Sequence, residues 1–148
     1  MSHYGNYAFT QSSSGVTVYN FVSIGPKGHI KKVVQFNETG EKGIYNLAFG
    51  NISRDGSLDD FTINNNNDRD KILATVAAIV KEFTSSFPDC YIHFSGSTEV
   101  RTRLYRIAIA VHYEELSKTF KIWGMNDEGE PEIFVLNQHY NGFLIKRQ

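Results

Sequence analysis

"DRDKILATVAAIVKEF", Asp68 to Phe83, is the stretch on which the fold turns. Ile72, Val76, Ile79 and Phe83 recur at spacings of three and four, the period of one buried helical face. Asp68 suits the N-cap, because its carboxylate accepts from the orphan N–H groups of the first turn, and Asp70 favours the positive end of the helix dipole. With a helix here, the segments on either side read as strands. Val16 to Ile24 and Ile30 to Phe36 are rich in β-branched and aromatic residues and are joined by "GPKG", a hairpin signal. Ile44 to Phe49, after the "ETGEKG" turn, is a third strand. Residues 50–67 carry Gly, Asp and Asn at turn density, which predicts a long loop with a short strand near Phe61. The first fifteen residues read as a loosely ordered lead-in.

Beyond the helix, Pro88 closes the connection and Tyr91 to Phe94 is short and apolar, as an interior strand is. A second helix is expected from about Thr98 to Leu116, with Val100, Leu104, Ile107 and Val111 on its buried stripe. "FKIWGM", "EIFVL" and "FLIKR" then supply three strands separated by turns. The order βββαβαβββ predicts an α+β fold, a mostly antiparallel sheet with two packed helices, in a single domain over 1–148. Its opening matches the ribonuclease H-like order. Nucleases of that fold hold two cations on strand carboxylates beside the scissile phosphate. "VTVYNFVSI" and "YIHFS" contain no carboxylate, so that chemistry is excluded even if the topology matches.

Composition narrows the function classes. Apolar residues are 41% and charged residues 21%, a globular balance, and the formal net charge of −1 gives no global reason to bind nucleic acid or an anionic membrane. No apolar run approaches the roughly 20 residues that span a bilayer. The lone Cys90 has no internal disulfide partner, and "MSHYGNYAF" lacks the regions of a secretory signal, so a cytoplasmic location is expected. Five histidines show no paired metal spacing, and "NNNNDRD" lacks the spacing and Gly of a calcium loop, so neither metal nor cofactor is expected.

The informative site is "FSGSTEVRTRLYR", Phe94 to Arg106, where an apolar strand ends in Gly-Ser-Thr and opens a helix carrying three arginines. Cations at a helix N-terminus need a compensating anion. On the expected stripe, Arg101 and Arg103 lie about 80° to either side, and Arg106 points nearly opposite. Gly96, Ser97, Thr98, Arg101 and Arg103 are therefore the candidate anion-binding residues, with Lys31, Lys32 and Tyr105 as secondary candidates. The alternative is an internal ion pair between these arginines and Asp68 or Asp70. Arg101, Tyr105 and His112 share a helical face, which raises a metal-independent RNA-cleaving set such as that of the toxin in a toxin–antitoxin pair. The rise of 1.5 Å per residue puts His112 about 16 Å from Arg101, too far to share one phosphate.

Both motifs carry a resemblance. The chain resembles an uncharacterised bacterial, Bacteroidetes-type family with segments of the form DxxKVLATVA and GSTxxRTRLYR. The matching pieces are Tyr19 to Phe36, Ile44 to Gly50, Asp68 to Ala77, Gly96 to Ile107 and Phe143 to Arg147. Glu99-Val100 stands where that family often has Pro-Ala, and Asp68-Arg69-Asp70 is more charged than its usual pattern. The resemblance implies a domain of unknown function and no specific activity. The expectation from the residues is a small non-enzymatic binding module for a phosphate-bearing or acidic ligand, whether a small molecule or a macromolecular partner.

Overall fold

The computed structural model describes residues 5–12, 17–52, 58–59, 68–96 and 98–148. The chain divides into two compact units. One holds Ser2–Asn37 and Ala48–Ser86, and the other Glu38–Leu47 and Phe87–Gln148.

The first unit contains β1 (Thr10–Gln11), β2 (Val18–Gly25), β3 (Gly28–Glu38), the C-terminal part of β4 (Ile44–Ile52), β5 (Leu58–Asp59) and α1 (Arg69–Ser86). Its strands lie in the order β1-β2-β3-β4, with β5 on β4. β2 and β3 form the expected hairpin, registered from Val18 opposite Gln35 to Gly25 opposite Gly28. Gly28 takes φ 91°, the left-handed conformation that closes the turn. Alternation sets Tyr19, Phe21 and Ser23 of β2 opposite Val34, Lys32 and Ile30 of β3. The helix stripe read from the sequence is the buried one: Ile72, Val76, Ile79 and Phe83 are all buried. Phe83 stacks on Phe36 with ring centroids 4.0 Å apart. Thr75 and Thr84, also fully buried, satisfy their hydroxyls on the carbonyls of Lys71 and Val80 one turn back.

In the second unit the N-terminal part of β4 is joined by β6 (Tyr91–Phe94), α2 (Glu99–Val111), α3 (Tyr113–Thr119), β7 (Phe120–Met125), β8 (Pro131–Ile133) and β9 (Gly142–Arg147). The strand order is β4-β6-β9-β7-β8. β4 and β6 run parallel, and the remaining pairs of this unit are antiparallel. β6 is interior, as its four apolar-rich residues predict, and Ile92 is fully buried. The fold is thus α+β with a mostly antiparallel sheet, with three helices rather than two among the described residues.

Two local expectations change, and two others fall wholly or partly outside the described residues. Of the lead-in, the described residues 10–11 pair with β2, and Tyr7 is 8% exposed. The short strand near Phe61 falls outside the described residues, whereas β5 is seen at Leu58–Asp59. The 98–116 helix breaks at His112, whose ψ of 15° ends α2 and whose N–H bonds to the Ala108 carbonyl. "EIFVL" is strand only to Ile133, because Phe134 turns in to pack on Tyr113, Tyr140 and Phe143.

The expected stripe of α2 is also overturned. Val100 is 61% exposed, Val111 64% and Ile107 36%, while the buried residues are Thr102 and Ile109. The reason lies at the helix entry. Thr102 Oγ1 accepts from the Gly96 N–H at 3.0 Å, which fixes the rotation of the helix with Thr102 inward. No helix among the described residues is long and apolar enough to cross a membrane.

Candidate functional site

The turn from β6 into α2 is built around Gly96. A Cβ there would lie 2.3 Å from Arg101 Cβ and 2.5 Å from the Thr102 nitrogen, so only glycine lets the helix entry fold this closely over the strand end. Thr98 is the N-cap, and its Oγ1 accepts from the Arg101 N–H at 3.2 Å. Thr102 Oγ1 also lies 3.1 Å from the Thr98 carbonyl. The sequence reading gave the donors after Gly96 to an anion. In the structure, two of those N–H groups, of Gly96 and Arg101, are taken by threonine hydroxyls of the turn itself.

Beside this turn lies an open cleft of about 560 Å³. One wall is the start of the helix, with Gly96, Thr98, Glu99, Arg103 and Arg106. The facing wall is His139, Tyr140 and Asn141, from the loop before β9. Glu99, Arg103 and Arg106 fall within about 60° of one another around the helix, with the arginines about 6 and 10 Å further along its axis. Among the described residues, neither Arg103 nor Arg106 has a carboxylate within ion-pair distance. Arg103 is exposed and Arg106 half-buried.

The facing loop is braced. Tyr140 is buried, and its hydroxyl accepts from the Val135 N–H at 3.0 Å while its ring fills the space over Gly124. The Asn141 N–H donates to the Met125 carbonyl at 2.9 Å, and its side-chain amide donates to Asp127 at 3.0 Å. His139 Nε2 lies 3.3 Å from Asn141 Oδ1. Arg103 and Arg106 of the helix and His139, Tyr140 and Asn141 of the braced loop therefore line one cleft.

The sequence candidates separate. Gly96, Thr98 and Arg103 line the cleft. Ser97 lies outside the described residues. Arg101 and Tyr105 are not on its walls, and Tyr105 instead packs edge-on against Phe94 at 5.5 Å. His112 caps α2 and is likewise absent from the cleft, so Arg101, Tyr105 and His112 do not form a site there. Lys31 and Lys32 do not make a joint surface patch: Lys31 is exposed, whereas Lys32 is 4% exposed and donates to Asn51 Oδ1. Asp68 and Asp70 are accounted for within their own unit. Asp68 Oδ2 accepts from Tyr7 and Ser23, and Asp70 lies 3.9 Å from Arg69.

Arg106, His139 and Asn141 were missed by the sequence reading. Thr102 was the signal for Arg106. A hydroxyl residue six positions after a strand-ending Gly, turned inward, brings Arg106 to within about 50° of the buried direction. Nothing local marked His139 or Asn141. Elsewhere, burial pushes the Cys90 thiol up, away from the reactive thiolate. Among the described residues no group of three His, Cys, Asp or Glu is placed to hold a metal ion.

No curated protein and no solved structure matches the chain. A family of unknown function, DUF6934, matches residues 3–148, and the chain belongs to it.

Proposed function

We propose that this protein is a non-enzymatic binding module that takes an anionic ligand in the cleft, with Arg103 and Arg106 as the recognising cations. The observation that carries this reading is two guanidiniums on one wall of an open cleft, without carboxylate partners among the described residues. Guanidinium forks match the oxygens of phosphate and carboxylate groups. The Thr98 hydroxyl adds a neutral hydrogen-bonding group, and Glu99 disfavours anions at the helix entry, so the anion sits along the helix over the arginines. A volume of about 560 Å³ suits a small phosphorylated molecule or the acidic end of a larger partner. In this reading the protein acts in the bacterial cytoplasm, consistent with its single buried thiol.

Inorganic phosphate, pyrophosphate and a nucleoside monophosphate are the first probes. Binding to the native state raises Tm by mass action, and at least one probe should do so with a dependence on salt. Arg103→Ala and Arg106→Ala should each weaken binding about tenfold or more, the usual range for losing a charge-assisted pair, while leaving Tm in buffer unchanged. Arg101→Ala should leave binding unaltered. Absence of any shift across phosphate and carboxylate probes would remove the reading.

A further inference from the structure

His139 lines the cleft and has no role in the anion contacts proposed above. The residues around it are pinned. Asn137 takes φ 65°, the left-handed conformation that Asn tolerates, and Gln138 Nε2 donates to Glu132 Oε1 at 2.8 Å. Tyr140 is buried with its hydroxyl on the Val135 N–H, and the Asn141 N–H is held by the Met125 carbonyl. His139 itself is exposed, so a fixed loop carries an accessible imidazole at the cleft.

The Asn141 side chain decides which ring nitrogen carries the hydrogen. Its Nδ2 donates to Asp127 Oδ1 at 3.0 Å and lies 3.4 Å from the Asn126 carbonyl. A flipped amide would set its oxygen against both of those acceptors, so Oδ1 is the atom 3.3 Å from His139 Nε2. Oδ1 only accepts. Nε2 therefore holds the hydrogen of the neutral ring, and Nδ1 is the nitrogen that can take up a proton. Among the described residues His139 makes no other hydrogen bond.

The charged groups on the cleft walls are Glu99, Arg103 and Arg106, and behind the ring stand Asp127, reached through Asn141, and Glu132, reached through Gln138. A protonated ring adds a third positive charge to a cleft with two guanidiniums, a repulsion that an arriving dianion offsets. A phosphate monoester supplies that charge and three free oxygens, one for each of three donors. Its ordinary second pKa is about 6, against about 6.5 for an imidazole, so the two groups can hold one proton between them.

We propose that the ligand of the cleft is a phosphate monoester held jointly by Arg103, Arg106 and His139, and that its binding brings one proton to His139 Nδ1. This rests on the anion site proposed above and names its ligand class and third contact.

The test titrates a nucleoside monophosphate into the full chain by calorimetry at about pH 7.5, in two buffers of different ionisation enthalpy, so that the difference in heat counts protons taken up. The wild type should take up about one proton per ligand, and its affinity should fall by up to about tenfold as the pH is raised by about one unit. His139→Gln keeps a hydrogen-bonding side chain but cannot titrate. It should bind about tenfold more weakly at neutral pH, with no proton uptake and a flat profile above it. Binding by the wild type without proton uptake, or uptake unchanged in His139→Gln, overturns this proposal and leaves the arginine site standing. No binding at any pH overturns both.

Discussion

Gly96 has no room for a side chain, and its neighbours are backbone and the root of Arg101 rather than the free end of a flexible chain. Gly96→Ala must therefore move the helix entry. It should destabilise by about 1–3 kcal/mol, the range for overpacking a closed site, read as a lower urea midpoint at unchanged m. The same shift should loosen the cleft, because Gly96 lies on its wall. His93 makes a different prediction. Burial pushes its imidazole below the ordinary value of 6.5, and Nδ1 lies 3.2 Å from Asn46 Oδ1. The native state therefore binds the proton more weakly than the unfolded chain, which takes it up below about pH 6.5. Stability from this group is complete above that pH and declines as pH falls, because the unfolded state then binds more protons. His93→Gln should flatten the urea midpoint between pH 7 and pH 5; an unchanged slope would show that other groups set the acid limb.

At the scale of elements, α1 and α2 show what periodicity does and does not reveal. In both helices the spacing of apolar residues identified a face. In α1 that face is the buried one, since Phe83 stacks on Phe36 and Ile79 is fully buried. In α2 three of the four apolar residues, Val100, Ile107 and Val111, are exposed and Leu104 is half-buried, because period states which residues lie together and not which way they point. The hydroxyl of Thr102 and the close approach at Gly96 decide the rotation, and both are polar or steric details that a hydrophobic pattern omits. The consequence is testable by a pair of variants. Ile109→Ala should cost about 2–5 kcal/mol, as truncation of a buried side chain does. Val111→Gln, at a position 64% exposed, should change stability by less than about 0.5 kcal/mol. Equal costs would mean that the helix is rotated from the position described. Thr98→Ala removes the N-cap and should cost about 1 kcal/mol.

At the scale of the molecule, the strands were legible where β-branched and aromatic runs met turn residues. The cleft was only half legible, since its arginine wall is one contiguous motif and its other wall comes from a loop more than thirty residues later. The chain divides into two compact units. β4 is continuous through both: Ile44 to Asn46 pair with β6 in one unit, and Asn51 and Ile52 pair with β5 in the other. A strand common to both units makes joint unfolding the expectation to test. Trp123 is the only tryptophan and lies on β7, so its fluorescence reports the second unit, whereas far-UV circular dichroism reports both. The two signals should give coincident urea transitions. Ile92→Ala, at a fully buried position of β6, sharpens the test. If β4 couples the units, the substitution should lower both midpoints together by an amount equivalent to about 2–5 kcal/mol. A dichroism transition that splits, with one phase left at the wild-type midpoint, would show instead that the first unit holds its half of β4 unaided.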